Sequence, residues 1–267
     1  MIQLFLKGII IGVANIMPGV SGGTLAVILG VYDQLTEAIG NFPTAPMKKK
    51  IEYMKFLLQI GIGAVVGIVL FAKIIEYCVI NYPKLTAGGF SLLIIPSIPY
   101  IIKDEDKKDK KNILFFLLGA ILTLAFVYAD YRFGKSDSNQ QLVSVVTTAY
   151  AIKLFACGGV AAGAMIIPGI SGSLLLLMLG EYYNILGFIN KFFSNLVNIG
   201  SYSSIGEIVS NLYIFPLVSF GLGVIIGLVA IAKLINMLLE KHRSVTLFFI
   251  TGIVVVSILQ IWINLYK

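Results

Sequence analysis

Two segments of the chain place a hydroxyl and a run of small residues just after a proline: Pro18-Gly19-Val20-Ser21-Gly22-Gly23-Thr24 and Pro168-Gly169-Ile170-Ser171-Gly172-Ser173. Proline lacks a backbone N–H and clashes with the preceding turn, and the adjacent glycine admits unusual dihedrals. Pro18 with Gly19, and Pro168 with Gly169, are therefore expected to end a helix each. Ser21 and Ser171 then stand as N-caps of the helices that restart. The N–H groups of Gly22, Gly23 and Thr24, and those of Gly172 and Ser173, carry the positive end of the new helix dipole and suit an oxyanion such as phosphate. Carbonyls freed at the same breaks suit sodium or a proton carrier, so the residues alone leave anion and cation open. A kink that serves only close helix packing is the structural alternative; the recurrence of the motif at equivalent places argues for a paired site.

Other groups with chemical potential are few. Lys73 and Lys233 lie several residues inside apolar runs, where a lysine either serves as counter-charge to a phosphate, pairs with an acid such as Glu76, or snorkels to the headgroup layer. Lys153 is expected to snorkel. Glu181, following the second break, ranks first among acids for proton or sodium coupling, with Asp33 and Glu37 after the first break as further candidates. A lipid phosphatase, transferase or intramembrane protease needs a nucleophile with a base, a metal cluster or paired carboxylates. The single histidine, His242, sits between Lys241 and Arg243 without such partners, and Cys78 and Cys157 have neither metal nor redox spacing. No cofactor, no metal and no enzymatic role are expected.

The elements that must position these residues follow from composition and repetition. Of 267 residues, 58% are hydrophobic and only 12% charged, with a mean hydropathy of +0.94, which marks a polytopic membrane protein. The formal charge of +7 resides mainly in short loops between apolar runs, so no nucleic-acid partner is implied. Apolar runs fall at about 2–39, 56–80, 86–102, 112–131, 146–190, 211–237 and 245–265, where about 20 residues cross the hydrocarbon core. The first and fifth are too long for one crossing and contain the two breaks, so each is expected to form a hairpin, re-entrant or made of two short crossings. The first begins after Lys7 like a secretory leader, but its pattern recurs in mid-chain, which argues for mature structure.

Aligned without a gap, residues 8–35 and 158–185 share 11 of 28 residues, glycine, proline and serine among them. A second block repeats as well: Gly61, Gly63, Gly67, Ala72 and Lys73 correspond to Gly221, Gly223, Gly227, Ala232 and Lys233. The glycines of this block are expected to pack the helix against its hairpin. The chain is thus a tandem of a first repeat at 1–102, a linking helix at 112–131 and a second repeat at 146–267, within one membrane domain. Opening the first hairpin to the cytoplasm gathers Lys7, the lysines at 48–55 and 103–111, Lys241 and Arg243 on the cytoplasmic side. Lys84, Arg132, Lys135, Lys191 and Lys267 remain outside, as the positive-inside rule requires. Three crossings then separate equivalent points, so the second repeat is inverted, its hairpin tip facing the first near the midplane. The expected fold class is an all-α polytopic membrane protein with inverted-topology repeats.

The two break segments, with Gly30-Val31-Tyr32 and Gly180-Glu181-Tyr182 following them, resemble the duplicated signature of the bacterial DUF368 membrane family across essentially the whole chain. The second copy departs from the first at Ser173 and Leu174, which replace Gly23 and Thr24. The resemblance implies a polyprenyl-phosphate (undecaprenyl-phosphate) translocase of the bacterial cytoplasmic membrane, whose substrate is the lipid-carrier phosphate recycled for cell-envelope synthesis. A transporter or channel for a small anion or ion fits the same half-helix geometry and stays open as the alternative. Membrane lipids, protons or sodium are the other expected partners, and the oligomeric state is left open.

Overall fold

The proline and glycine punctuation divides the first long apolar run into α1 (Ile2–Ile16), α2 (Gly22–Ile28) and α3 (Tyr32–Asn41). The computed structural model describes residues 2–17, 20–133, 147–197 and 204–264. Then come α4 (Met47–Asn81), α5 (Pro83–Ile94), a 3₁₀ turn (Ile95–Ser97), α6 (Ile98–Ile101) and α7 (Lys110–Phe133). The second long run divides like the first, into α8 (Thr148–Ile166), α9 (Gly172–Met178) and α10 (Tyr182–Leu196). The chain continues through α11 (Ile205–Asn211), α12 (Ile214–Lys241) and α13 (Arg243–Asn264), and the described residues contain no strand. Six of these stretches are long and apolar enough to cross a membrane, at Met47–Asn81, Pro83–Ile101, Lys110–Ala129, Thr148–Ile166, Ile214–Lys241 and Arg243–Ile263. The protein is an all-helical, multi-pass membrane protein.

Local chemistry explains where these helices begin and end. The expected second leg of each hairpin, 21–39 in the first, is not one helix. Gly30 and Gly180 adopt left-handed φ of 66° and 74° and close α2 and α9. In each case the glycine N–H bonds two residues before the cap, Gly30 to Val27 O and Gly180 to Leu177 O. The next N–H reaches further back, from Val31 to Ala26 O and from Glu181 to Leu176 O. This paired closure satisfies the last carbonyls of the helix. Pro96 falls within the Pro83–Ile101 stretch, which tightens there into the 3₁₀ turn, and the Ser97 hydroxyl donates to Ile94 O at 2.6 Å. At 35 residues, α4 would be about 52 Å long, and its first turns, with Lys48, Lys49, Lys50, Glu52 and Lys55, extend past the apolar part.

The chain divides into two compact units. One comprises Met1–Val127, Met165–Ile170 and Val229–Lys267; the other comprises Tyr128–Ala164 and Ser171–Leu228. In the first unit α13 is the core, with Ile253, Val254 and Ile261 fully buried and Trp262 Nε1 donating to Ser91 Oγ of α5 at 3.1 Å. In the same unit α1 lies against α4 with the backbones almost touching: a methyl group at Gly63 would stand 2.3 Å from Phe5 O, and one at Gly67 2.3 Å from Ile9 O. Within the second unit, α8 and α12 repeat the arrangement residue for residue. Gly223 meets Phe155 O and Gly227 meets Gly159 O, where a methyl would stand 2.0 and 2.1 Å away. The core of that unit is Leu154, Ile185 and Phe188.

Close approach of small residues replaces the hydrophobic driving force that lipid cannot supply. Not every glycine of the repeated block takes part: Gly61 and Gly221 face open space, correcting the expectation that all three in each copy pack. Overpacking a tight contact costs about 1–3 kcal/mol. Gly227→Leu should therefore lower the thermal midpoint of the detergent-purified protein by several degrees, while Gly221→Leu leaves it within a degree or two. Equal melting of both variants in a thermal-shift measurement would refute the packing account.

Candidate functional site

Ser21 sits at the head of α2 in extended conformation, φ −102° and ψ 138°, and its Oγ accepts from Gly23 N at 3.2 Å. This is the N-cap expected from the sequence. The neighbouring donor is also held: Gly22 N donates to Asn15 Oδ1 of α1 at 2.9 Å. The Asn15 side chain lies directly against Gly22, 2.7 Å from where a Cβ would stand, so a larger residue 22 would push the Asn15 amide aside. Pro18 and Gly19 lie outside the described residues. At the other end of α2, Lys7 Nζ donates to Leu29 O at 2.7 Å, placing a cation at the negative end of the helix.

Within the same unit the second break comes up against the first. Thr24, buried at 1% exposure, accepts on Oγ1 the backbone N–H of Gly169 at 3.0 Å, and Tyr32 OH donates to Ile166 O at 3.0 Å. Gly23 has Ile166 O and the Cα of Pro168 within 3.2–3.4 Å of a would-be Cβ, so a side chain there would press on the break. Gly169 itself has φ of +75° and lies against Ile253 and Ser257 of α13. The peptide groups that Pro168 and Gly169 free from α8 are thus taken up by two side chains of the first repeat, 134 to 145 residues away.

In the second unit Ser171 occupies the N-cap position of α9, its carbonyl accepting from Leu175 N at 3.2 Å. Its hydroxyl is 2.9 Å from that of Ser173, in the first turn with Gly172. The two lysines of the repeated block do not reach into the protein. Lys73 and Lys233 are both exposed, and among the described residues neither forms an ion pair, so the pairing of Lys73 with Glu76 is not made. The backbone at Lys233 is nonetheless tightly packed, with Gly40 against its N and Cα.

The three candidate acids have distinct environments. Asp33, half-exposed, pairs with Arg243 at 2.8 Å beside a mixed-charge cavity of about 300 Å³ that Lys103 and Asp104 also line. Glu37 accepts from Tyr53 OH at 2.8 Å. Glu181, 2% exposed, accepts from Lys153 Nζ at 2.6 Å, Tyr150 OH at 2.5 Å and Asn184 Nδ2 at 3.0 Å. Lys153 therefore does not simply snorkel: it is the charge partner that a buried carboxylate requires. Asn15, Tyr32, Tyr150 and Arg243 are the participants that reading the sequence did not single out. The partners of Tyr32, Tyr150 and Arg243 are remote in sequence, and Asn15 has Met165 as its counterpart in the second repeat, so the repetition carries no signal for it.

Comparison with known proteins adds to this geometry. Residues 11–266 match the family described as undecaprenyl phosphate translocase-like. The chain is 28% identical over 272 residues to a polyprenyl-phosphate transporter of Vibrio cholerae serotype O1, covering 98% of the chain and 77% of the relative. It is likewise 28% identical over 259 residues to a polyprenyl-phosphate transporter of Staphylococcus aureus, covering 96% and 84%. No solved structure matches it. With the family match running almost end to end over a duplicated chain of broken apolar helices, the protein belongs to the undecaprenyl phosphate translocase-like family.

Proposed function

We propose that the protein is a flippase that carries a polyprenyl phosphate, undecaprenyl phosphate in particular, across the cytoplasmic membrane for reuse of the lipid carrier. The observation that carries the reading is the direct contact of the two breaks: Thr24 at the head of α2 holds the backbone N–H of Gly169. Broken helices facing each other at membrane depth are the usual binding architecture of transporters built from inverted repeats. The polyprenyl-phosphate transporters to which the chain is similar support the lipid as substrate.

On this reading the phosphate binds at the two serine-capped tips, contacted by Ser21, Gly22, Gly23 and Thr24 from one repeat and Ser171, Gly172 and Ser173 from the other. Asn15 Oδ1 and Ser21 Oγ now accept the N–H groups of Gly22 and Gly23, and a phosphate oxygen, bearing more negative charge, displaces them. Asn15 keeps a role after displacement because its amide also donates. Lys73 and Lys233, on exposed faces, serve the phosphate at the membrane surface as it approaches rather than at the tips. The repeats are inverted, the N-terminus is cytoplasmic, and rocking of one repeat against the other exposes the tips to each leaflet in turn.

Moving a negative charge inward against a negative-inside potential costs about 2.3 kcal/mol per 100 mV, so the cycle is coupled to protons or sodium. Glu181 is the coupling acid, because protonation would release Lys153 and Tyr150 together. Asp33 and Glu37, tied to Arg243 and Tyr53, assist by closing the cytoplasmic side.

Three measurements test this. In liposomes, leaflet-to-leaflet movement of undecaprenyl phosphate should fall at least tenfold in a Ser21→Ala, Ser171→Ala double variant; transport and lipid-phosphate binding at the unmodified level would remove the tips from the mechanism. Glu181→Gln should abolish acceleration by a pH gradient while leaving movement without a gradient measurable, and retained gradient dependence would exclude Glu181 as the coupling acid. Thr24→Val keeps the shape but leaves the Gly169 N–H unpaired, a loss of about 1–3 kcal/mol. It should lower thermal stability and transport together, whereas Thr24→Ser should restore both.

A further inference from the structure

We infer that an apolar groove bounded by α1, α4 and α5 seats the isoprenoid segment nearest the phosphate of the transported lipid. The inference rests on the polyprenyl-phosphate reading above and adds to it a binding site for the tail. The groove lies wholly within the first unit and has a volume of about 630 Å³, within the size range of small-molecule sites. Val13 of α1, Phe71 and Ile75 of α4, and Phe90 and Leu93 of α5 form its walls.

Three features select this occupant. First, Leu25 of α2 also lines the groove. It follows Thr24 directly and lies four residues after Ser21, so the groove reaches the short helix that carries the proposed phosphate contacts. A ligand that fills the groove and touches the tip has to be apolar along its length and polar at one end. Second, the lining is overwhelmingly apolar: besides Thr86, only Cys78 and Tyr82 carry a polar atom in their side chains. The only hydroxyl on α5 that lines it, Thr86, donates to Cys78 O at 2.9 Å and Tyr82 O at 2.8 Å, bonds to the backbone that leave hydrocarbon facing the groove. Third, the groove is open to the outside: Leu85 lines it and is 75% exposed on a stretch of membrane-spanning length, so a chain longer than the groove continues into lipid.

Dimensions and relief fit a branched chain. From Leu85 to Leu93 the wall runs about 12 Å along α5, room for a few isoprene units and not for a whole carrier lipid. Gly89 lies in this wall with no atom within 4 Å of where its Cβ would stand, leaving a recess in it for the methyl branches that distinguish isoprenoids from straight acyl chains.

The test uses the full-length protein in liposomes with a polyprenyl phosphate carrying a photoreactive group on its first isoprene unit. Label should map to groove residues such as Leu25, Cys78 and Phe90, and excess unlabelled polyprenyl phosphate should suppress it while phosphatidylglycerol does not. Gly89→Phe should fill the recess and reduce movement of the lipid at least tenfold. Gly88→Phe, at a neighbouring position with equally open space that does not line the groove, should stay within twofold of the unmodified protein. Label outside the groove, suppression by phosphatidylglycerol, or unaltered transport by Gly89→Phe overturns the groove while the polyprenyl-phosphate reading stands. If the unmodified protein neither binds nor moves the lipid, that reading fails and the inference with it.

Discussion

Hydrocarbon offers no partner to a peptide group, and an unpaired one costs several kcal/mol, so every helix break at membrane depth has to find its own hydrogen bonds. Much of this protein's structure answers that requirement. Around the first break Gly22 and Gly23 give their N–H groups to Asn15 and Ser21; around the second, Thr24 takes the Gly169 N–H and Tyr32 covers the Ile166 carbonyl. Both short helices close on a glycine turn in which the glycine and the residue after it each return an N–H group to the last carbonyls. Helices of seven residues are well below the length at which a helix persists alone, about 12 residues, and they stand here because both ends are tied.

The tightly packed helices that hold the breaks are built twice from one plan. In each unit a helix leading into a break is pressed onto a membrane-spanning partner at glycines so close that backbone oxygen meets Cα. Such contacts resist deformation, which suits elements that carry a site. What differs between the copies is the polar decoration. Asn15 and Thr24 have apolar counterparts in Met165 and Leu174, while Glu181, with its ring of donors, stands where the first repeat has Val31. A symmetric scaffold thereby holds an asymmetric set of charges.

Much of the fold was legible in the sequence because it is written in residue types with narrow uses. Proline and glycine within long apolar runs located the breaks, serine located the cap at α2, and the length and hydropathy of the remaining runs located the membrane-length helices. The further division of each hairpin leg was not foreseen, although Gly30 and Gly180 stood in register, since a lone glycine in an apolar run reads equally well as packing. The glycines at 61 and 221 misled in the opposite sense: their spacing implies a shared face, yet only neighbours a half-turn away meet the partner helix. Of the site, the acid most worth following could be picked out by its isolation after an apolar run. Its lysine partner could not, because a lysine 28 residues away near a helix start is as well explained by the headgroup layer.

The glycine turns at 30 and 180 bear on how a duplicated backbone comes to carry unequal chemistry. Each turn pins the following residue by its own N–H, to Ala26 O in one repeat and Leu176 O in the other, so Val31 and Glu181 occupy equivalent sockets on duplicated backbone. The socket accepts an aliphatic group or a carboxylate without altering the turn that forms it. An acid in one socket, surrounded by donors, and an aliphatic group in the other make the two copies chemically inequivalent. The inequivalence resides in a handful of side chains, while the helices that carry them are alike in the two copies.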